Sequence, residues 1–427
     1  MALLESINIQ SMVLERTEEG ISWAPKKGGR AFHNVPHIFF NDGEPWLAAN
    51  QYALSKLQGI SGNDIKTVRS IMGHLKAYAS WLEDKGVDWR NFPIKKKDRC
   101  IFQFRGYLID QRNSDLIAPS TATARMAAVV QFYRWAQVEG LIERKDMWED
   151  RTKSVKFYTT VGLSRTMSVT SSELSIPNRT RQGLTLEGGL LPVSVDSQAE
   201  LLQFLRSRGM VELYLMHLVG FFTGARSGTI RTLRLSSLEN SLDDPQTPQV
   251  KRIAVGPPTK VKTKFDVSGY LLVPSLLVEE LERYAYSARR LIRQEKASED
   301  DVTLLFLTER GNGYSETSFT KLISDMRERL VNAGLPHFKD YCFHQTRATY
   351  GTMLMKYAMN TLPSQTDALV FVRDAMLHKD EATTWKYIKF IEKEPIKEKL
   401  SDEFFNLFTG DGGDAEALID QVTYDAP

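Results

Sequence analysis

The chain has 427 residues, 42% of them hydrophobic and 25% charged, with 55 basic and 53 acidic side chains that leave a formal charge of +2. That length exceeds one typical core, so two domains are expected, and the composition is that of a soluble globular protein. No apolar run reaches the roughly 18 residues needed to span a bilayer, and MALLESINIQ lacks a basic flank followed by a long apolar stretch, so an intracellular protein is expected.

Two cysteines, Cys100 and Cys342, are too few for a disulfide framework and have no partners at metal-ligand spacing. The charge is unevenly spread. From Thr409 onward there are five acidic residues and no lysine or arginine. Basic clusters stand at Lys26, Lys27 and Arg30, at Lys95, Lys96, Lys97 and Arg99, at Arg151, Lys153 and Lys156, and at Lys260, Lys262 and Lys264. Together they suit a phosphate-binding surface. Taken singly, each reads equally as a solvated face.

In chain order, residues 1–44 hold Gly28, Gly29, Pro36 and the turn Asn41-Asp42-Gly43, and read as an extended arm with a hairpin or short strands. Helical spacing begins at Leu47. Asp64 is placed to cap IKTVRSIMGHLKAYASWLEDKG, whose apolar positions Val68, Ile71, Leu75, Tyr78, Ala79 and Leu82 share one face, and Gly86 ends it. CIFQFRGYLIDQRN and STATARMAAVVQFYRWAQVEGLI, capped by Ser120 and stopped by Gly140, complete a helical domain over 45–150.

Residues 151–190 show no sustained period and read as an interdomain linker. A second domain, 191–408, opens with a helix capped by Asp196 or Ser197. VELYLMHLVGFFTG follows as a buried helix in which His217 is a core residue. KRIAVGP and GYLLVPS make a β-hairpin around a lysine-rich turn, LLVEELERYAYSARRLIRQ is a helix, TLLFLT a strand, and three further helices lead to AMLHKDEATTWKYIKF. Residues 396–408 form an amphipathic helix, and 409–427 an acidic tail.

Several short motifs now align. Thr223-Gly224-Ala225-Arg226 is followed by Leu233-Arg234, then His344-Gln345-Thr346-Arg347 by the helix ATYGTML, and His378 lies nine residues before Tyr387, with Thr383 and Thr384 between. In this order and spacing the chain resembles the tyrosine recombinases, the phage-integrase-like enzymes that break and rejoin DNA. Singly, Arg226 reads equally as a helix-terminal salt bridge, His344 and Arg347 as a capping pair, and Tyr387 as a packed aromatic; jointly the set is specific. The chain departs from the family pattern at Thr229, where an acidic residue is usual, at Met376-Leu377-His378, where L-G-H is usual, and in a longer hairpin turn.

The resemblance covers about residues 45–405 and implies a mainly α fold with a small sheet. A helical core-binding (SAM-like) domain and an α+β catalytic domain would form a C-shaped clamp on DNA. It implies Tyr387 as nucleophile, Arg226, Arg347 and His344 on the phosphate, and His378 holding the phosphate or orienting Tyr387. A hairpin lysine would be the general acid, Lys262 first, then Lys260 and Lys264. Neither metal nor cofactor is implied. Lys95, Lys96, Lys97, Arg99, Arg151, Lys153 and Lys156 are candidate DNA contacts.

The expected partners are double-stranded DNA sites, further copies of the chain in a tetramer joined through the C-terminal helix, and accessory DNA-bending proteins. The expected setting is a bacterial or phage cytoplasm, at the nucleoid. The expected role is integration or excision of a mobile element; the alternatives are a Xer-like resolvase of chromosome or plasmid dimers, a telomere-resolving relative, or a catalytically silent DNA-binding relative.

Overall fold

A computed structural model describes residues 1–392 apart from 18–19, 60–63, 144–145, 159–163, 179–185, 187–188, 246, 248 and 380. The fold is mainly helical with small antiparallel sheets, and the chain divides into two units, Met1–Arg181 and Gln182–Pro427. No helix among the described residues is long and apolar enough to cross a membrane. The expected C-terminal helix and acidic tail lie outside the described residues.

In the first unit, β1 (Leu3–Gln10) pairs antiparallel with β4 (Ala31–Phe39), and β2 (Met12–Thr17) with β3 (Gly20–Pro25). The stretch read as an arm is thus a ribbon whose base belongs to the core: Ala2, Val35 and Ile38 are fully buried. Asn50, on α1 (Leu47–Gln58), explains how. Its side chain accepts from the Ile38 NH at 2.8 Å and donates to the Ile38 carbonyl at 3.1 Å, standing in for a missing strand so that Ile38 is buried with both backbone groups satisfied.

Helix α2 (Ile65–Lys85) is capped by Asp64, which accepts from the Lys66 NH, and ends at Gly86, whose φ of 62° is the left-handed conformation glycine adopts without a Cβ clash. The expected stripe is buried, Ile71 partly. Packing of that stripe on α3 (Cys100–Asn113) and α4 (Pro119–Val138) stabilises the helix far more than intrinsic propensity does, since each fully buried large apolar side chain contributes about 1.5–3 kcal/mol. Ser120 is not the cap of α4. Ala118 takes that place and Pro119 the first helical position, where its fixed φ and missing N–H suit a helix start.

The stretch read as a linker carries a second ribbon, β5 (Asp150–Tyr158) paired with β6 (Ser164–Ser172), in unbroken register from Asp150↔Ser172 to Tyr158↔Ser164. Its strands, DRTKSVKFY and SRTMSVTSS, are mostly polar and carry too few apolar residues for a period to show in the sequence. Beyond it the chain returns to the first core. Leu174 and Ile176 are buried, with their carbonyls held by Arg105 and Thr123, so this unit continues past residue 150.

The second unit contains α5 (Val195–Ser207), α6 (Val211–Thr223), α7 (Ser227–Arg231) and α8 (Leu235–Glu239), then β7 (Leu242–Asp243), β8 (Val250–Val255) and β9 (Gly269–Pro274) in one antiparallel sheet of that order. Next come α9 (Ser275–Ala285), α10 (Ala288–Glu295), α11 (Glu316–Asn332), α12 (Gln345–Thr361), α13 (Gln365–Ala375) and a helical stretch, α14, over 381–392. Ser194 caps α5, in place of Asp196 or Ser197. The helix expected to run unbroken from Leu276 to Gln294 divides at Tyr286, with Ser287 capping its second half.

TLLFLT is not a strand; Leu304 and Leu307 make only isolated bridges. Arg290, fully buried, donates to the carbonyls of Val302, Leu304 and Leu305, and Arg293 donates to that of Leu307. Guanidinium forks take the place of a partner strand, so the segment is buried without a ladder.

Candidate active site

The first box is set by the end of α6. Gly224 has φ 64°, and a Cβ there would lie 2.4 Å from Cδ1 of Tyr350, so backbone and packing both demand glycine. Thr223, buried, donates to the Val219 carbonyl and accepts from the Ala225 NH, which turns the chain sharply. Arg226 then falls at the position before α7, half-buried.

The second box meets both others. Arg347 is 2% exposed, and its two terminal nitrogens donate to the Gly224 carbonyl at 2.6 Å and the Met376 carbonyl at 2.8 Å. One guanidinium therefore joins the turn that carries Arg226 to the residue two before His378. An arginine suits this position because it stays charged when buried and its fork reaches two acceptors at once. His344, half-buried, precedes the first residue of α12.

In the third box, His378 lies with Nδ1 2.8 Å from Oγ1 of buried Thr384, and its ring is 6.2 Å from that of Tyr387 at 27°. Tyr387 is fully buried, seated on α12: a Cβ at Gly351 would stand 2.5 Å from its Cε1. Sequence reasoning missed Gly351. Its signal is a glycine inside the helical run ATYGTML, where glycine costs roughly 1 kcal/mol relative to alanine and so marks a close approach.

Arg226 and Arg347 line one cavity together with Lys264, Thr229, Thr263 and Leu377; among the described residues no carboxylate lines it. The hairpin turn divides its three lysines. All three side chains are exposed; Val261 between them is anchored in the core at 1% exposure, and the Lys262 NH donates to Oγ1 of Thr232. Lys260, with φ 58°, lines a separate concavity with Arg234 and Thr303. Lys264 is the lysine that shares the cavity with the two arginines. Of the neighbouring phenols, Tyr350 is pushed up to about 12 and Tyr341 also upward, each by burial.

The candidate DNA contacts of the first unit separate as well. Arg99 is 3% exposed, and its guanidinium is spent on the carbonyls of Pro93, Ile94, Asp146 and Met147, which corrects its expected DNA-facing role. Lys96 is paired with Glu149 and Glu173. Lys95, Lys97 and Arg151 are exposed. The side chains of Lys153 and Lys156 lie outside the described ones.

Fold and motif placement together define an integrase-like architecture: a helical unit, then a unit in which the three boxes converge beside a small sheet. No protein-family model and no curated protein matches the sequence. Among solved structures, the Tn1549 transposon integrase in complex with a circular intermediate DNA shares the fold at a TM-score of 0.50 and 12% identity, over 80% of this chain and 94% of that one. A lambda integrase dimer bound to a COC′ core site aligns over 80% of this chain and 94% of that one, at 14% identity and a TM-score of 0.46. A lambda integrase tetramer on a Holliday junction aligns over 88% and 94%, at 13% identity and a TM-score of 0.39.

Proposed function

We propose that the chain is a site-specific DNA recombinase of the tyrosine recombinase type, acting through Tyr387. The observation that carries this reading is the Arg347 guanidinium bridging Gly224 and Met376, with Arg226 and Lys264 on the same cavity. A phosphodiester under attack builds charge on its non-bridging oxygens, and two cations that stay ionised at any working pH are suited to hold it. His344 donates to the same phosphate or assists proton removal. The Tyr387 oxygen attacks phosphorus, the bond to the 5′ oxygen breaks, and a 3′-phosphotyrosine and a 5′-hydroxyl result. The departing oxygen takes a proton from a lysine. Cavity lining favours Lys264 over Lys262 and Lys260 in that role. Rejoining reverses the steps and needs no ATP.

Tyr387 is fully buried as it stands, so attack on DNA requires α14 to shift. His378 and Thr384 would orient the helix start that carries the tyrosine. Double-stranded DNA is the partner, read by two duplex-bound units, with Lys95, Lys97 and Arg151 on phosphates. Four copies on two duplexes, joined through residues 396–408, complete the assembly. The setting is the bacterial cytoplasm, with the gene carried by the cell or by a phage, and the longer N-terminal ribbon favours a mobile element over a minimal housekeeping resolvase.

The test uses nicked duplexes tiled across the DNA that flanks the gene, whose cleavage traps a covalent protein–DNA adduct. Wild type should give the adduct and Tyr387→Phe none. No adduct from any duplex would favour a silent DNA-binding relative, and an undiminished one from Tyr387→Phe would move the nucleophile elsewhere.

A further inference from the structure

Beside the cavity stands an aromatic that the reaction does not explain. Phe265 is a large apolar side chain left 66% exposed. Its backbone has φ 63°, and Asp266 follows at φ 53°. Residues with a Cβ occupy that region at a cost, and two in succession point to a conformation that the surroundings enforce. Thr263 helps enforce it by donating to the Val267 carbonyl at 2.7 Å, which closes the turn.

The ring is flanked by two cations. Nζ of Lys264 lies 5.1 Å from its centroid and Nζ of Lys379 lies 5.3 Å away, both within the range of attraction between an ammonium and a ring face. Lys264 lines the cavity with Arg226 and Arg347. Lys379 is the neighbour of His378, on the segment leading into α14. A second link runs in parallel: Leu377, at φ 51°, also lines the cavity and lies against β9, where a Cβ at Gly269 would stand 2.5 Å from its Cδ2. The hairpin and the segment before the nucleophile are therefore joined at two places, and the polar one passes through Phe265.

We propose that Phe265 is a positioning residue: its ring holds Lys264 beside Arg226 and Arg347 and couples it, through Lys379, to the segment that bears His378 and Tyr387. Two like charges at one ring repel, and the ring's negative face offsets that repulsion. Loss of the ring frees Lys264, whose flexible stem otherwise has many rotamers, and uncouples proton delivery from tyrosine attack. The inference rests on the recombinase reading for its catalytic consequence and on the two ring contacts for its geometry.

Two measurements on the full chain separate these. In the first, lysines are reductively methylated with a carbon-13 label, which keeps their charge, and the Lys264 and Lys379 signals are assigned with Lys264→Arg and Lys379→Arg. Both signals should be displaced upfield by the ring and return to the bulk position together in Phe265→Leu. Signals that are undisplaced, or unmoved by Phe265→Leu, overturn the proposal whatever the enzyme does.

In the second, adduct formation is timed on ordinary nicked duplexes and on duplexes whose scissile bond has a 5′ sulfur, a leaving group that needs no proton. Phe265→Leu should slow the ordinary substrate by about 10²-fold, the lower bound of general acid catalysis, and leave the sulfur substrate near wild type. Phe265→Trp, which keeps a ring face, should restore the ordinary rate. Equal slowing on both substrates, or no rescue by tryptophan, makes Phe265 a fold or DNA contact and overturns the proposal. Displaced signals in a wild type that forms no adduct would instead remove the recombinase reading and leave the ring contacts standing.

Discussion

Two groups of cations show how the same residue types come to opposite uses. In the first unit, Arg99 is buried among four backbone carbonyls and Lys96 between two glutamates, so their charges are consumed by the fold. In the second, Arg226, Arg347 and Lys264 line a cavity that no carboxylate lines among the described residues. Arg347 belongs to both worlds, since two of its donors hold carbonyls while the side chain still lines the cavity. What decides the use of a guanidinium is the number of acceptors the surrounding chain supplies. Neither burial nor local basic density is a guide, because Arg99 sits in the densest basic run of its unit.

The sharpest way to break that contrast is Arg226→Ala. Its loss should lower adduct formation by about 10²–10³-fold, as loss of one preorganised charge donor does, while the chain stays folded. A variant that unfolds instead would put Arg226 in the structural group. Arg99→Ala should do the reverse and cost about 3 kcal/mol in denaturant unfolding, from hydrogen bonds to a charged donor. The salt dependence of its DNA binding should remain that of wild type. A reduced salt slope would restore Arg99 to the DNA-facing set.

His217 extends the comparison to a cation that the core refuses. It is fully buried, donates from Nδ1 to the Leu213 carbonyl at 2.7 Å, and its Nε2 has no hydrogen-bond partner among the described residues. Burial pulls its pKa down to about 4 from 6.5. The unfolded chain therefore takes up a proton that the folded one refuses, so stability is full above pH 6.5 and falls as the pH drops towards 4. The loss is about 3 kcal/mol across that window, from 1.36 kcal/mol per unit. His217→Phe should flatten this part of the stability–pH curve; an unchanged curve would mean that other groups cause the acid sensitivity. The smallest effect is expected at Lys95→Ala. It should lower the slope of log affinity against log salt by about 1 and leave stability within about 0.5 kcal/mol; an unaltered slope would show that this lysine faces away from phosphate.

The helices of both units are legible in the sequence because their signals are local: Asp64 and Gly86 bracket α2, and Gly224 ends α6 at the residue where the first box requires a turn. The ribbon of β5 and β6 is not, because its strands are rich in Ser, Thr, Lys and Arg and carry few apolar residues in which a period could show. TLLFLT misleads in the opposite direction: an apolar run announces burial, and only the arrival of Arg290 from α10 shows that a side chain, not a strand, satisfies the carbonyls of Leu304 and Leu305.

By itself the sequence determined the three boxes, their order and the helical settings of Arg226, Arg347 and Tyr387, because spacing along a helix is set within a few residues. Only tertiary structure decided which lysine of the hairpin shares the arginines' cavity, which members of the 95–99 cluster are exposed, and that Tyr387 is seated on Gly351. Those outcomes depend on acceptors and contact surfaces brought from distant parts of the chain, as when Arg347 closes on the carbonyls of Gly224 and Met376. No local pattern encodes them.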